Sequence, residues 1–225
     1  IVAGHSLGEY AALVAAGAMA FADAVPLVRF RAQAMQEAVP AGEGAMAALL
    51  GLEVDAVREA CAEAAQGEVV EAANLNAPGQ IVVAGARAAV ERAIEIAKGR
   101  GAKRAMLLPV SAPFHCALMK PAADRLAERL RDVALVKPNI AVINNVDVAI
   151  EDDPERIRDA LVRQASSPVR WIELIQAIAG RGTAHIIECG PGKVLAGMTK
   201  RIVKEVGAGS AHDAASLEQS IGAVK

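Results

Sequence analysis

The chain has 225 residues, enough to bury one large core or two small ones. A formal net charge of -2 with 2% aromatic residues offers neither the basic footprint nor the stacking rings of a nucleic-acid binder, and no apolar run approaches the roughly 18–20 residues that cross a bilayer, so nucleic acid and membrane are excluded as partners. Cys61, Cys116 and Cys189 are an odd number without a C-x-x-C, and read as buried thiols in a reducing cytoplasm; the four histidines share no metal-ligand spacing, so no metal is expected.

The chain starts with a short apolar run, Ile1-Val2-Ala3, followed by Gly4-His5-Ser6-Leu7-Gly8-Glu9. A G-x-S-x-G stretch between a strand and a helix is a nucleophile elbow: the serine is held in strained backbone geometry, glycines at 4 and 8 relieve crowding, and the first N–H groups of the following helix lie beneath Ser6. An ordinary Gly-rich turn is the competing reading. Elbows of this kind sit centrally in a sheet, and three residues are too few for a strand inside one, so the chain is expected to lack an N-terminal segment.

A helix follows over 7–16, ended by Gly17, and a second from Asp23 as N-cap to about Ala38. Arg31 falls on the apolar stripe of the second helix with Leu27 and Met35, so its guanidinium either finds an anion or carries its head back to water. From Gly42 the order becomes strand 44–50, helix 54–65, a hairpin of strands 69–74 and 80–84 across Ala77-Pro78-Gly79, helix 87–98 and strand 103–110. That β-α-β-β-α-β order is ferredoxin-like and suits an inserted subdomain at 42–110.

Beyond it come Pro113-Phe114-His115, a helix over 118–131, a strand over 140–146, a helix capped by Asp153 and Pro154 to Ala165, and a helix over 171–179. Strand 184–189 leads through Gly190-Pro191-Gly192 into helix 193–206; the turn does not meet the phosphate-loop pattern. Residues 207–225 read as a loosely held tail. The fold class is α/β: a hydrolase-like parallel-sheet core over 1–41 and 111–225, incomplete at its N-terminus, carrying the ferredoxin-like subdomain at 42–110.

A serine nucleophile needs a base, and His115 is the best placed. His5 adjoins the serine, where neighbouring side chains diverge; His185 lies in a strand and His212 in the tail. Asp23 and Asp55, the only aspartates between Ser6 and His115, are explained as helix starts, so the pair reads as a dyad whose imidazole is oriented by something other than a carboxylate, such as a backbone carbonyl.

These residues, with the Asn74-x-Asn76-x-Pro78-Gly79-Gln80 hairpin, Leu161-Val162-Arg163-Gln164 and Glu188-x-Gly190-Pro191-Gly192, resemble the bacterial malonyl-CoA:acyl-carrier-protein transacylases from Ile1 to about Val206. The resemblance implies that Ser6 is acylated by malonyl-CoA and that His115 is the base. It implies that Arg31 pairs with the malonyl carboxylate, that the Leu7 backbone N–H is an oxyanion donor, and that the Gln164 carbonyl holds the imidazole. It also implies that Phe114 excludes an α-methyl branch and that an N-terminal glutamine loop supplies the other oxyanion donor, whose loss costs about 10²–10³ in rate. The partners so implied are malonyl-CoA and acyl carrier protein, with no cofactor and a monomeric enzyme of cytoplasmic fatty acid synthesis. A serine hydrolase or thioesterase on the same scaffold, or a non-catalytic carrier-binding module, are the alternatives.

Overall fold

A computed structural model describes residues 1–224. The chain divides into two compact units, Ile1–Trp171 and Ile172–Lys225; the expected inserted subdomain therefore shares its unit with the elbow.

In the first unit, β1 (Val2–Ala3) leads through the elbow into α1 (Gly8–Ala15), and α2 (Phe21–Glu37) follows. The second helix starts two residues before the expected Asp23, which lies in its first turn, while Ala20 occupies the N-cap without a side-chain bond. Leu27, Arg31, Ala34 and Met35 form its buried stripe, and Leu27, Ala34 and Met35 join Tyr10, Leu13, Met119, Leu126, Leu130 and Leu161 in the main core. α5 (Lys120–Leu130) and α6 (Pro154–Ala165) pack into it through residues three and four apart; Ile157, Ala160, Leu161 and Gln164 make the buried face of α6. That spacing carries Gln164 inward in the last turn of α6, whose carbonyls lack helical partners.

β1 pairs in parallel with β6 (Val142–Ile143), a far shorter strand than the expected 140–146. The ladder stops because the Asn145 side chain continues it: its Nδ2 donates to the Gly4 carbonyl at 2.7 Å and its Oδ1 accepts from the Ser6 N–H at 2.8 Å. A fully buried side-chain amide thus stands in for a peptide around the bend.

β2 (Gly44–Leu50), α3 (Val54–Ala65), β3 (Val70–Ala77), β4 (Gln80–Ala86), α4 (Arg87–Gly99) and β5 (Arg104–Leu107) form an antiparallel sheet in the order β3-β4-β2-β5. This is the ferredoxin-like arrangement. α3 and α4 press stripes of Val57, Ala60, Cys61, Ala64 and Ala89, Val90, Ala93, Ala97 inward. Met46, Ala73, Val82 and Ala84 gather around Cys116, with Phe114 and Leu118 packed alongside, so sheet residues anchor the segment that bears His115. At the β3 edge, Leu75 donates to the Val169 carbonyl and Val169 to that of Ala73, tying the chain after α6 to the hairpin.

After α7 (Trp171–Ala179), the second unit corrects the expected tail. β7 (His185–Cys189) pairs in parallel with β8 (Gly207–Ala211), and α9 (Ala214–Ala223) follows with a capping box between Asp213 and Ser216. Cys189 is exposed, against the expectation of a buried thiol, whereas Cys61 and Cys116 are buried. After Gly190-Pro191-Gly192, the Glu188 carboxylate accepts from the Ala196 N–H at 2.8 Å, so an acidic side chain already occupies the N-terminus of α8 (Val194–Ile202).

The two elbow glycines differ. A Cβ on Gly4 would overlap the Gly8 carbonyl and the Glu9 nitrogen, whereas one on Gly8 would meet open space. Crowding is therefore relieved at Gly4 alone. Gly4→Ala should destabilise the protein by about 3 kcal/mol, because backbone cannot step aside, while Gly8→Ala should shift the denaturation midpoint little. Equal effects in urea unfolding would contradict this account of the turn.

Candidate active site

Ser6 takes φ 54°, a left-handed conformation that a residue with a Cβ adopts only when its surroundings hold it there. The holding groups are visible: Asn145 takes the Ser6 N–H, and Gln164 Nε2 donates to the Ser6 carbonyl at 3.0 Å. The turn aims Oγ at His115 Nε2, 2.7 Å away. His115, also at positive φ (63°), is buried, and its Nδ1 lies 2.9 Å from the Gln164 carbonyl oxygen. A carbonyl only accepts, so Nδ1 carries the proton and Nε2 presents its lone pair to the serine hydroxyl. Burial first, and the Arg31 guanidinium second, hold the His115 pKa down to about 3, so the imidazole is neutral at physiological pH.

Arg31 is 6% exposed, and the water-seeking alternative is set aside. Its Nη2 donates to Ser6 Oγ and to Gln164 Oε1, each at 2.9 Å, and its Cζ lies 5.5 Å from the Tyr10 ring centroid. Nε is buried without a partner, and among the described residues Arg31 forms no ion pair. Gln164 therefore spans the site, its backbone on His115 and its side chain on Arg31 and Ser6. Phe114 packs partly buried against both the main core and the Cys116 cluster beside the base. Leu7 stands at the N-cap of α1 with an exposed side chain, the residue next to the nucleophile.

Two contributors, Asn145 and Glu9, had no role in the sequence reading. Asn145 braces the elbow as described. Glu9 is 2% exposed; its Oε2 accepts from the Asn145 N–H and from Gln164 Nε2, each at 2.9 Å, and burial pushes its carboxyl up to about 7. His5 turns away from Ser6 as expected, its Nε2 2.9 Å from Asn76 Oδ1 and its ring tilted against Trp171. Glu9 stood in the quoted motif, but nothing local marks it as buried; Asn145 acts through a contact 139 residues away, which no local pattern carries.

A serine at a strand-to-helix elbow, hydrogen-bonded to a neutral imidazole on an α/β scaffold, is the arrangement of an acyl-transfer enzyme. The acyl transferase domain family matches residues 1–224, and the chain belongs to it and, within it, to the malonyl CoA-acyl carrier protein transacylases. It is 53% identical over 221 residues to the malonyl CoA-acyl carrier protein transacylase of Salmonella typhimurium, and 52% identical over 221 residues to that of Escherichia coli K12, spanning 98% of this chain and 72% of either relative. Among solved structures it is similar to an acyl-carrier-protein S-malonyltransferase from Burkholderia pseudomallei, with a TM-score of 0.97 and 62% identity over 98% of this chain and 72% of that one. A malonyl-transacylase in complex with a type II PKS acyl-carrier protein matches with a TM-score of 0.96 and 52% identity over 98% of this chain and 72% of that one. Among the described residues no helix is long and apolar enough to cross a membrane.

Proposed function

We propose that this chain transfers a malonyl group from malonyl-CoA to the phosphopantetheine thiol of acyl carrier protein through a malonyl ester of Ser6, in fatty acid synthesis. The observation that carries the reading is the chain of bonds from Ser6 Oγ to His115 Nε2 and from His115 Nδ1 to the Gln164 carbonyl, at 2.7 and 2.9 Å, with Arg31 Nη2 on the same Oγ. In the first half-reaction Oγ attacks the thioester carbonyl while Nε2 takes its proton. The tetrahedral oxyanion is met by the Leu7 N–H, and collapse expels the coenzyme A thiolate, which the imidazolium protonates. In the second, the carrier thiol gives its proton to Nε2 and attacks the ester, returning Ser6 to its hydroxyl. The thioester is the substrate, and the steps call on no cofactor.

Arg31 binds the malonyl carboxylate, and its unpartnered Nε supports that role: a buried guanidinium with donors to spare fits an anion brought by substrate. Phe114 restricts the room beside the α-carbon. The test is intact-mass measurement after incubation with malonyl-CoA, followed by digestion. An adduct of one malonyl group on Ser6, discharged by holo carrier protein and absent in Ser6→Ala, is expected. No adduct, an adduct elsewhere, or release of free malonate faster than carrier loading would replace transfer by another activity.

A further inference from the structure

We propose that Glu9 is a positioning residue of this site: its carboxylate Oε2 fixes the orientation of the Gln164 amide and so aims Arg31 at the malonyl group. The inference rests on the malonyl-transfer reading above. Gln164 Nε2 has two acceptors, Glu9 Oε2 and the Ser6 carbonyl, and this leaves Oε1 facing Arg31 Nη2. The opposite amide orientation would set Oε1 against two oxygens and Nε2 against the guanidinium, a pair of repulsions at once. Glu9 is the group that makes the observed orientation the better one beyond the single backbone acceptor.

The same Oε2 accepts the Asn145 N–H, and the Asn145 amide in turn holds the Gly4 carbonyl and the Ser6 N–H. One oxygen thus braces the elbow through Asn145 and the arginine through Gln164. Those two donors offset part of the cost of burying a carboxyl, and its position one residue into α1 sets it close to the elbow. Acceptance rather than charge does the positioning. A glutamine can present its carbonyl oxygen to the same two donors, whereas a leucine of similar size cannot.

The test compares Glu9→Gln and Glu9→Leu for kcat/KM on malonyl-CoA and acetyl-CoA, with holo carrier protein as acceptor. Glu9→Leu should lower kcat/KM for malonyl-CoA by about 10–100-fold, the range for a misplaced binding group, mainly through KM, and lower acetyl-CoA use far less. Glu9→Gln should restore most of the malonyl preference. Wild-type selectivity in a folded Glu9→Leu, or equal losses on both substrates that Glu9→Gln fails to recover, would overturn the inference and leave Glu9 a packing residue. Should Glu9→Leu not fold, Gln164→Met decides, since it keeps the backbone carbonyl for His115 and deletes the amide. Loss of malonyl preference is then required, and retention overturns the proposal. A wild-type protein that forms no malonyl adduct on Ser6 would remove the site reading and this inference together, whereas a wild type that loads beside variants of unchanged selectivity removes the inference alone.

Discussion

Replacing His115 by alanine should slow malonylation of Ser6 by about 10²–10⁴-fold, the range over which a positioned general base contributes. The distances make this a specific expectation. Nε2 is the lone-pair acceptor bonded to Oγ, and Nδ1 is pinned to the Gln164 carbonyl, so no rotation or tautomer change brings in a substitute. His5, the nearest other imidazole in sequence, is engaged with Asn76 and Trp171. Single-turnover labelling with malonyl-CoA measures the loss; near-normal labelling would assign the proton to another group. The acid side of the pH profile carries a second expectation. A group whose pKa is lowered to about 3 by burial and by Arg31 stays neutral as pH falls from 8 to 5. An ordinary histidine with a pKa of about 6.5 would be about 97% protonated at pH 5, with a roughly 30-fold loss of base. Log kcat/KM for acylation should therefore show no such decline. Glu9, whose carboxyl is pushed up to about 7, titrates in that window, so the profile belongs in the Glu9→Gln background.

Ser6 and His115 could be singled out as candidates because each carries its own local mark: glycines around Ser6, and Pro113 with Phe114 ahead of His115. The four strands and two helices over 44–107 were legible because short, mostly apolar runs mark the strands, apolar residues three to four apart mark the helices, and breakers separate them. β8 was misread because Gly207-Ala208-Gly209-Ser210-Ala211 has no strand propensity of its own and owes its conformation to pairing with β7. α9 announced itself through Asp213 and Ser216, a cap signal that the Gly/Ser texture around it obscured. β6 was overextended for the opposite reason: its sequence suits a strand, but Asn145 takes the ladder's place with its side chain. Arg31 showed both possibilities from its helix alone. Only the elements that fold around it, bringing Ser6 and Gln164 within 2.9 Å, decide between them.

Arg31→Ala should erode the preference for malonyl over acetyl groups rather than slow both alike. Two effects act in the same direction. Charge-assisted hydrogen bonds from a buried guanidinium to a carboxylate contribute about 1.5–3 kcal/mol each, so deleting the fork should lower kcat/KM for malonyl-CoA by about 10²-fold or more. The guanidinium is also one cause of the depressed His115 pKa, and it donates directly to Ser6 Oγ. Both features make the free site a poor base and a restrained nucleophile. On the proposed reading, a malonyl carboxylate that draws Arg31 into an ion pair would offset the positive charge felt by the imidazole and compete for the donor on Oγ, so a substrate that pairs with Arg31 should restore the reactivity of the dyad. Acetyl-CoA cannot do this, and in the wild type it meets a site still held down. Removing the guanidinium lifts that restraint for every acyl group, so acetyl-CoA use should hold steady or rise while malonyl-CoA use falls, and the selectivity ratio should change by about 10²-fold or more. Arg31→Lys should recover only part of it, since a point charge lacks the planar fork. Competition between the two thioesters for Ser6, read by intact mass, gives the ratio directly; parallel losses on both would reduce Arg31 to a structural role.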